Sequence, residues 1–217
     1  MKKYLAPALM FLVCFFIPLF VAQPACLIQE DEEYAVMAAV LSPNEPDIPE
    51  NITDELSRKV YRDRATVRLS GFHGSSYTVE DETTPSKMTG EADPFTVNDY
   101  NRKNEQTCRI DGARLLAHIP PEKKTRVSVI SAEEVRKIFS AGSGKGGGWD
   151  EFRKRHPFAG GMVYFSRPGF NEARNRAVIE ANCQADYEMG IGYRIHLEKS
   201  PKTGKWVMVN GDMSRKS

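Results

Sequence analysis

The last third of this chain constrains the fold most tightly. Gly161 to Ser166, Arg176 to Gln184, Gly190 to Lys199 and Lys205 to Asp212 read as four consecutive strands, and Pro201-Lys202-Thr203-Gly204 is a turn between the last two. Alternation with a period of two assigns faces. Ala177, Ile179, Ala181 and Cys183 share one face of the second strand, and Tyr193, Ile195 and Leu197 share one face of the third, packing inward with Trp206 or its neighbours. Arg194, His196 and Glu198 fall on the other side, toward solvent. The expected fold is α+β: a twisted antiparallel sheet closing in a C-terminal β-meander, with helices packed on one face.

The helices announce themselves by spacing and caps. Tyr34, Met37, Ala38 and Leu41 recur at three- and four-residue intervals, so Asp31 to Leu41 is a helix with acids in its first turn, stopped by Ser42-Pro43. Pro43 to Glu50 reads as a linker, Asn51-Ile52-Thr53 is formally a glycosylation sequon, and Tyr61 to Leu69 and Ser76 to Asp81 are candidate strands. Glu82 to Asp93 has loop composition. Thr96 with Asp99 starts a short helix through Asn104. Ser131 with Glu134 forms a capping box after a Val127–Ile130 strand, opening a helix to Ser140 with Val135, Ile138 and Phe139 as its stripe. Trp149, Phe152 and His156 lie on one side of a short helix ended by Pro157.

Composition matters once the N-terminus is considered. Lys2 and Lys3 precede an apolar run from Leu9 to Ala22 broken only by Pro18, the pattern of a secretory signal over residues 1–25, leaving a single α+β domain over 26–217. The alternative is an uncleaved anchor, since Tyr4 to Ala22 is about long enough to span a bilayer. Hydrophobic content, 41% overall, falls to about 36% without that segment, which favours one modest domain. Removing Lys2 and Lys3 leaves 28 basic against 29 acidic side chains, a net charge of −1. That removes any case for a nucleic-acid partner held by counterion release.

Cysteine parity bears on anchoring. Cys14 leaves with the signal, and Cys26, Cys108 and Cys183 remain. Cys26 stands where a lipoprotein carries its lipid, although Gln23-Pro24-Ala25 is a poor lipidation box. If Cys26 takes lipid, Cys108 and Cys183 are the natural disulfide of an oxidising compartment, closing about 75 residues and contributing roughly 4 kcal/mol. The alternative makes Cys183 a small buried hydrophobe. Membrane contact is expected only through the signal anchor or a Cys26 lipid.

Chemistry is sparse. Gly142 to Gly148 nominally matches a Gly-x-Gly-x-x-Gly phosphate loop, but it follows a helix where that motif requires a strand, so it is a connector and no cofactor is expected. No Cys-x-x-Cys exists and the four histidines stand far apart, so no metal is expected. Glu80, Asp81 and Glu82 form the best acidic cluster, either a hydrolase's carboxylates or a solvated strand end. His156 is either a general base, with Ser166 or Cys108 as nucleophile, or a ring packed at a helix end. His73 and His118 read as packing histidines. Ser166-Arg167-Pro168-Gly169-Phe170-Asn171 suits a type II turn that exposes Arg167 and Asn171 beside Phe170; with Trp149 these are the candidate binding residues. Alternatively Phe170 plugs the core and Arg167 pairs with an acid.

The segments Y-T-V-E-D-E-T-T (77–84), W-D-E-F-R-K-R-H-P (149–157), F-S-R-P-G-F-N (165–171), Y-R-I-H-L-E-K (193–199) and G-K-W-V (204–207) resemble a group of uncharacterised bacterial exported proteins, from about residue 33 to the end. The resemblance implies export and the sheet fold, with no activity attached. Members often carry a cysteine before the glycine opening the penultimate strand. Here Met189 holds that place, which turns Cys183 toward a distant partner. The expected function is that of an exported, periplasmic or secreted, non-enzymatic protein binding an unknown protein or envelope component. The alternative is an exported hydrolase using residues 80–82 or His156.

Overall fold

The computed structural model describes residues 26–44, 53–59, 76–90, 93–141, 147–186 and 189–216. The expected signal over 1–25, most of the proline linker and the sequon, the strand expected over 61–69, His73 and residues 142–146 of the glycine connector lie outside them. In chain order the elements are β1 (Cys26–Leu27), α1 (Asp31–Leu41), β2 (Ser76–Glu80), α2 (Pro94–Lys103), β3 (Cys108–Arg109), α3 (Gly112–His118), β4 (Val127–Ile130), α4 (Ala132–Ala141), α5 (Trp149–Arg155), β5 (Ala159–Phe165), β6 (Gly169–Phe170), β7 (Arg176–Asp186), β8 (Met189–Lys199) and β9 (Trp206–Lys216). The main sheet runs β4-β2-β5-β7-β8-β9, with β6 also on β7, and β1 pairs with β3 in a small second sheet.

The α+β class and the antiparallel β7-β8-β9 meander are present as the sequence leads one to expect. Gly204, at φ 69°, closes the hairpin between β8 and β9. The other half of the sheet is different: β2 is parallel to both β4 and β5. Alternation reports which face a residue occupies and is blind to strand direction. Parallel neighbours need a long crossover, and the stretches from β2 to β4 and from β4 to β5 supply it.

Helices also cover both faces. On the first, α1 and α3 pack over Tyr77, Val79, Val163, Phe165, Ile179, Ala181, Ile195 and Leu197. Each large apolar side chain fully buried there stabilises by about 1.5–3 kcal/mol. On the second face, α4 and α5 close over Ile130 and Met162 with Ile138, Trp149 and Phe152, while α2 brings Tyr100 onto Val178. The expectation of one covered face is corrected by residues such as Met162 and Val178, whose parity sets them on the back of the sheet. Helix α1 has no solvent stripe: Tyr34 and Val36 to Leu41 are all buried, because α3 caps the side that the sheet leaves open. A helix apolar around its circumference is an interior helix.

Two local expectations are overturned. Cys26 and Cys108 face each other in the β1–β3 register with Cα atoms 4.4 Å apart and form the disulfide. Cys183 is free and buried in the sheet core, so neither a Cys108–Cys183 bond nor a lipid on the Cys26 sulfur fits. Gly169 is not the positive-φ residue of a type II turn. It is small because α2 crosses directly over it: a Cβ there would stand 2.5 Å from Tyr100 Cβ and 2.7 Å from Thr96 O.

Candidate functional site

The turn after β5 leads into a buried charge cluster. Arg167 grips Glu33 with two hydrogen bonds, Nη2 to Oε1 at 2.7 Å and Nε to Oε2 at 3.0 Å, while Lys103 Nζ sits 3.2 Å from Glu33 Oε1 and 3.2 Å from Asp99 Oδ2. Glu33 is fully buried. Burial alone would lower the Arg167 pKa, but Glu33, with Glu30 and Asp99 behind it, holds it above the usual value. Burial likewise works to raise Asp99, and the Phe170 N–H with Lys103 outweighs it, leaving that carboxyl below its usual range. Arg167 Nη1 lies 3.6 Å from Cys108 Sγ, so the disulfide and the ion cluster form one unit. Phe170, 3% exposed, lies between Lys103 and Arg174 at 4.6 and 4.5 Å from its ring centroid. Asn171 Oδ1 accepts from the Asn175 and Arg176 N–H groups and closes the loop into β7. Trp149, 2% exposed, packs edge-on against Phe139 and Phe152. The four residues expected to bind a partner are therefore placed in packing and pairing, with neither aromatic ring on the surface.

The acids and the histidine are not brought together. Glu80 to Glu82 stand at the C-terminal end of β2, whereas His156 lines a small groove with Ser76, Tyr77 and Thr78 at the other end, roughly 13 Å of strand away. Asp81 Oδ1 accepts from the Ala132 N–H at the start of α4, and Glu82 pairs with Arg136 at 3.3 Å. Glu80 is different. Burial first, then the neighbouring Glu82 and Asp81 charges, push its pKa up to about 7. Ser166 Oγ accepts from the Glu180 N–H, and His156 stacks on Phe152 with centroids 5.0 Å apart. Cys108 is spent in the disulfide. Burial pushes the remaining thiol, Cys183, up to about 11, far from a nucleophile's range. Among the described residues no group of three or more His, Cys, Asp or Glu is placed to hold a metal ion.

A better-built concavity lies on the other flank of α1. Glu32, Ala35, Ala38, Ala39 and Ser42 form one wall of a groove of about 410 Å³, and Lys199, Lys205 and Trp206 from the β8–β9 hairpin form the other, with His118 and Pro120 at the edge. Such a volume is within the range of small-molecule sites. Glu32 Oε1 accepts from Trp206 Nε1 at 2.6 Å and pairs with Lys199 Nζ at 2.7 Å, which fixes carboxylate, indole and ammonium together. Asn44 Nδ2 donates to Trp206 O. The Ser42 hydroxyl is buried and has no hydrogen-bond partner. Against models of known families, curated proteins and solved structures, the chain has no match. Its function must therefore be argued from this geometry. The signal for the groove was present in the sequence as small residues at positions 35, 38, 39 and 42, one helical face, but small residues alone do not say that the space above them stays open.

Proposed function

We propose that the protein is an exported, non-enzymatic binding module whose ligand occupies the groove between α1 and the β8–β9 hairpin. The groove carries the proposal, because a fixed Glu32–Lys199–Trp206 set stands beside a buried hydroxyl without a partner. Leaving such a group desolvated costs about 1–3 kcal/mol, a cost that a ligand's hydrogen bond offsets. Export is supported by the N-terminal charge and apolar pattern and by the Cys26–Cys108 disulfide, which suits an oxidising compartment. No helix among the described residues is long and apolar enough to cross a membrane. Contact with an envelope component is the natural setting for such a module, reached after cleavage near residue 25.

Two measurements test this. Intact mass of the protein recovered from its native host is expected to show loss of residues 1–25 or 1–22 and a mass two hydrogen atoms below the fully reduced chain. A screen of carboxylates, sugars, amines and phosphate esters, read by the indole N–H resonances, is expected to move Trp206 with at least one class, and Ala35→Leu, which fills the groove, is expected to abolish the shift. Silence across all classes removes the binding module.

A further inference from the structure

We infer that the groove takes a small organic monoanion, a carboxylate on a short aliphatic body; this rests on the binding proposal and specifies its ligand. The lining charges decide the sign. Lys199 is neutralised by Glu32 at 2.7 Å, whereas Lys205, exposed at the rim, forms no ion pair among the described residues, so the groove has one cation to spare. A ligand ammonium would meet that uncompensated lysine. A dianion meets a different obstacle. Ser42 is the C-cap of α1, so the helix's last carbonyls, which carry partial negative charge, work against any anion at that end of the groove, and the Glu32 charge is already spent on Lys199; only the charge that Lys205 meets is offset. One negative charge balances Lys205; a second has no cation left to meet.

The polar and apolar parts of the groove divide the ligand in the same way. Ser42 Oγ is an O–H donor with its residue only 3% exposed and nothing to donate to. A carboxylate has two oxygens, one for Lys205 at the rim and one for the Ser42 hydroxyl, which is closed to solvent in the free protein and is met only as the ligand enters the wall beside it. Between the polar ends, Ala35, Ala38, Ala39 and Pro120 offer methyl and methylene surface and no hydrogen-bonding side chain. That composition suits a chain of a few carbons and gives a polyhydroxylated molecule too few partners for its hydroxyls.

The test titrates the mature oxidised protein with butyrate, 1-butanol, butylammonium and inorganic phosphate, following the two indole N–H resonances. Trp149, in the core on the opposite face, is the internal control. Butyrate is expected to shift Trp206 saturably and leave Trp149 in place. Lys205→Met should weaken that binding about three- to fivefold, and Ser42→Ala about two- to tenfold, each with an unchanged fold by amide spectrum. The carboxylate assignment is overturned if 1-butanol, butylammonium or phosphate binds as tightly as butyrate, or if Lys205→Met binds butyrate like the parent. In those cases Trp206 still responds and the groove remains a small-molecule site. If none of the four probes moves Trp206, while the broader screen moves it with another class, only the carboxylate fails.

Discussion

Glu32 and Glu33 are neighbours in the first turn of α1, yet they serve opposite kinds of site. Glu33, fully buried, points inward to Arg167, Lys103 and the disulfide, where every charge is ion-paired, although Lys103 Nζ, 3.2 Å from Glu33 and from Asp99, makes no hydrogen bond. Glu32 points along the other flank into a groove whose walls are only partly paired, with its side chain about one-third exposed. The difference is one of completeness. A closed ion cluster has no position left for a ligand, so its conspicuous residues, Arg167 and Phe170, hold the fold together. The groove differs in keeping an open volume beside its unused donor.

Removing the Glu33 carboxylate is the sharpest way to test that contrast. Glu33→Ala leaves Lys103 to Asp99 and Glu30 but strips the half-buried Arg167 of its ion-pair partner, and breaking a buried pair from one side costs about 3–5 kcal/mol, or a fall in Tm of roughly 10 °C for a domain of this size. Glu32→Gln, which keeps an acceptor for the Trp206 indole N–H and removes only the charge on the partly solvated flank, is expected to cost no more than about 1 kcal/mol. Equal losses in the two variants, measured by thermal or denaturant unfolding, would erase the distinction between closed and open sites.

The disulfide gives the next effect. Cys26 and Cys108 are 82 residues apart, so the double variant Cys26→Ala/Cys108→Ala is expected to lose about 4 kcal/mol on the chain-entropy model. The lower midpoint in guanidinium should appear with little change in groove binding. A thiol reagent supplies a complementary readout: because burial holds Cys183 protonated well above neutral pH, the mature oxidised protein, which lacks Cys14, should react slowly or not at all when native and show one thiol on unfolding. A single thiol that maps to Cys26, or no thiol at all on unfolding, would restore the Cys108–Cys183 pairing that parity alone had allowed.

Legibility divided along the same physical lines. The meander and α1 were readable because period-two and period-three-to-four patterns are local, and α1 is found at Asp31–Leu41 as spacing and the Ser42-Pro43 stop require. Strand direction was hidden, since Tyr77 and Val79 alternate identically in a parallel or antiparallel sheet. The Cys26–Cys108 bond was hidden because it depends on two-residue strands whose pairing has no periodicity to detect. In the Arg167 turn, sequence chemistry suggested both a binding patch and an ion pair, and the deciding fact, a buried Glu33 more than 130 positions away, is tertiary. The groove was hidden for the converse reason: alanines and a serine on one helical face look like close packing, and although Ala38, Ala39 and Ser42 are buried, the path of the β8–β9 hairpin leaves a concavity beside them.

The smallest predicted effect bears most directly on the open site. Ser42 caps α1 through its backbone N–H to Ala38 O at 2.8 Å, and that bond survives replacement by alanine. Only the hydroxyl is lost, and with it a buried donor that the free protein leaves unsatisfied. Ser42→Ala should therefore stabilise the free protein by about 1 kcal/mol while weakening butyrate binding. A residue kept for packing would show the reverse, since removing a bonded core hydroxyl destabilises and touches no ligand. Stability gained together with affinity lost, measured on the same variant by unfolding and titration, is the signature of a group retained for a ligand. Destabilisation with unchanged binding would assign Ser42 to the closed class with Glu33.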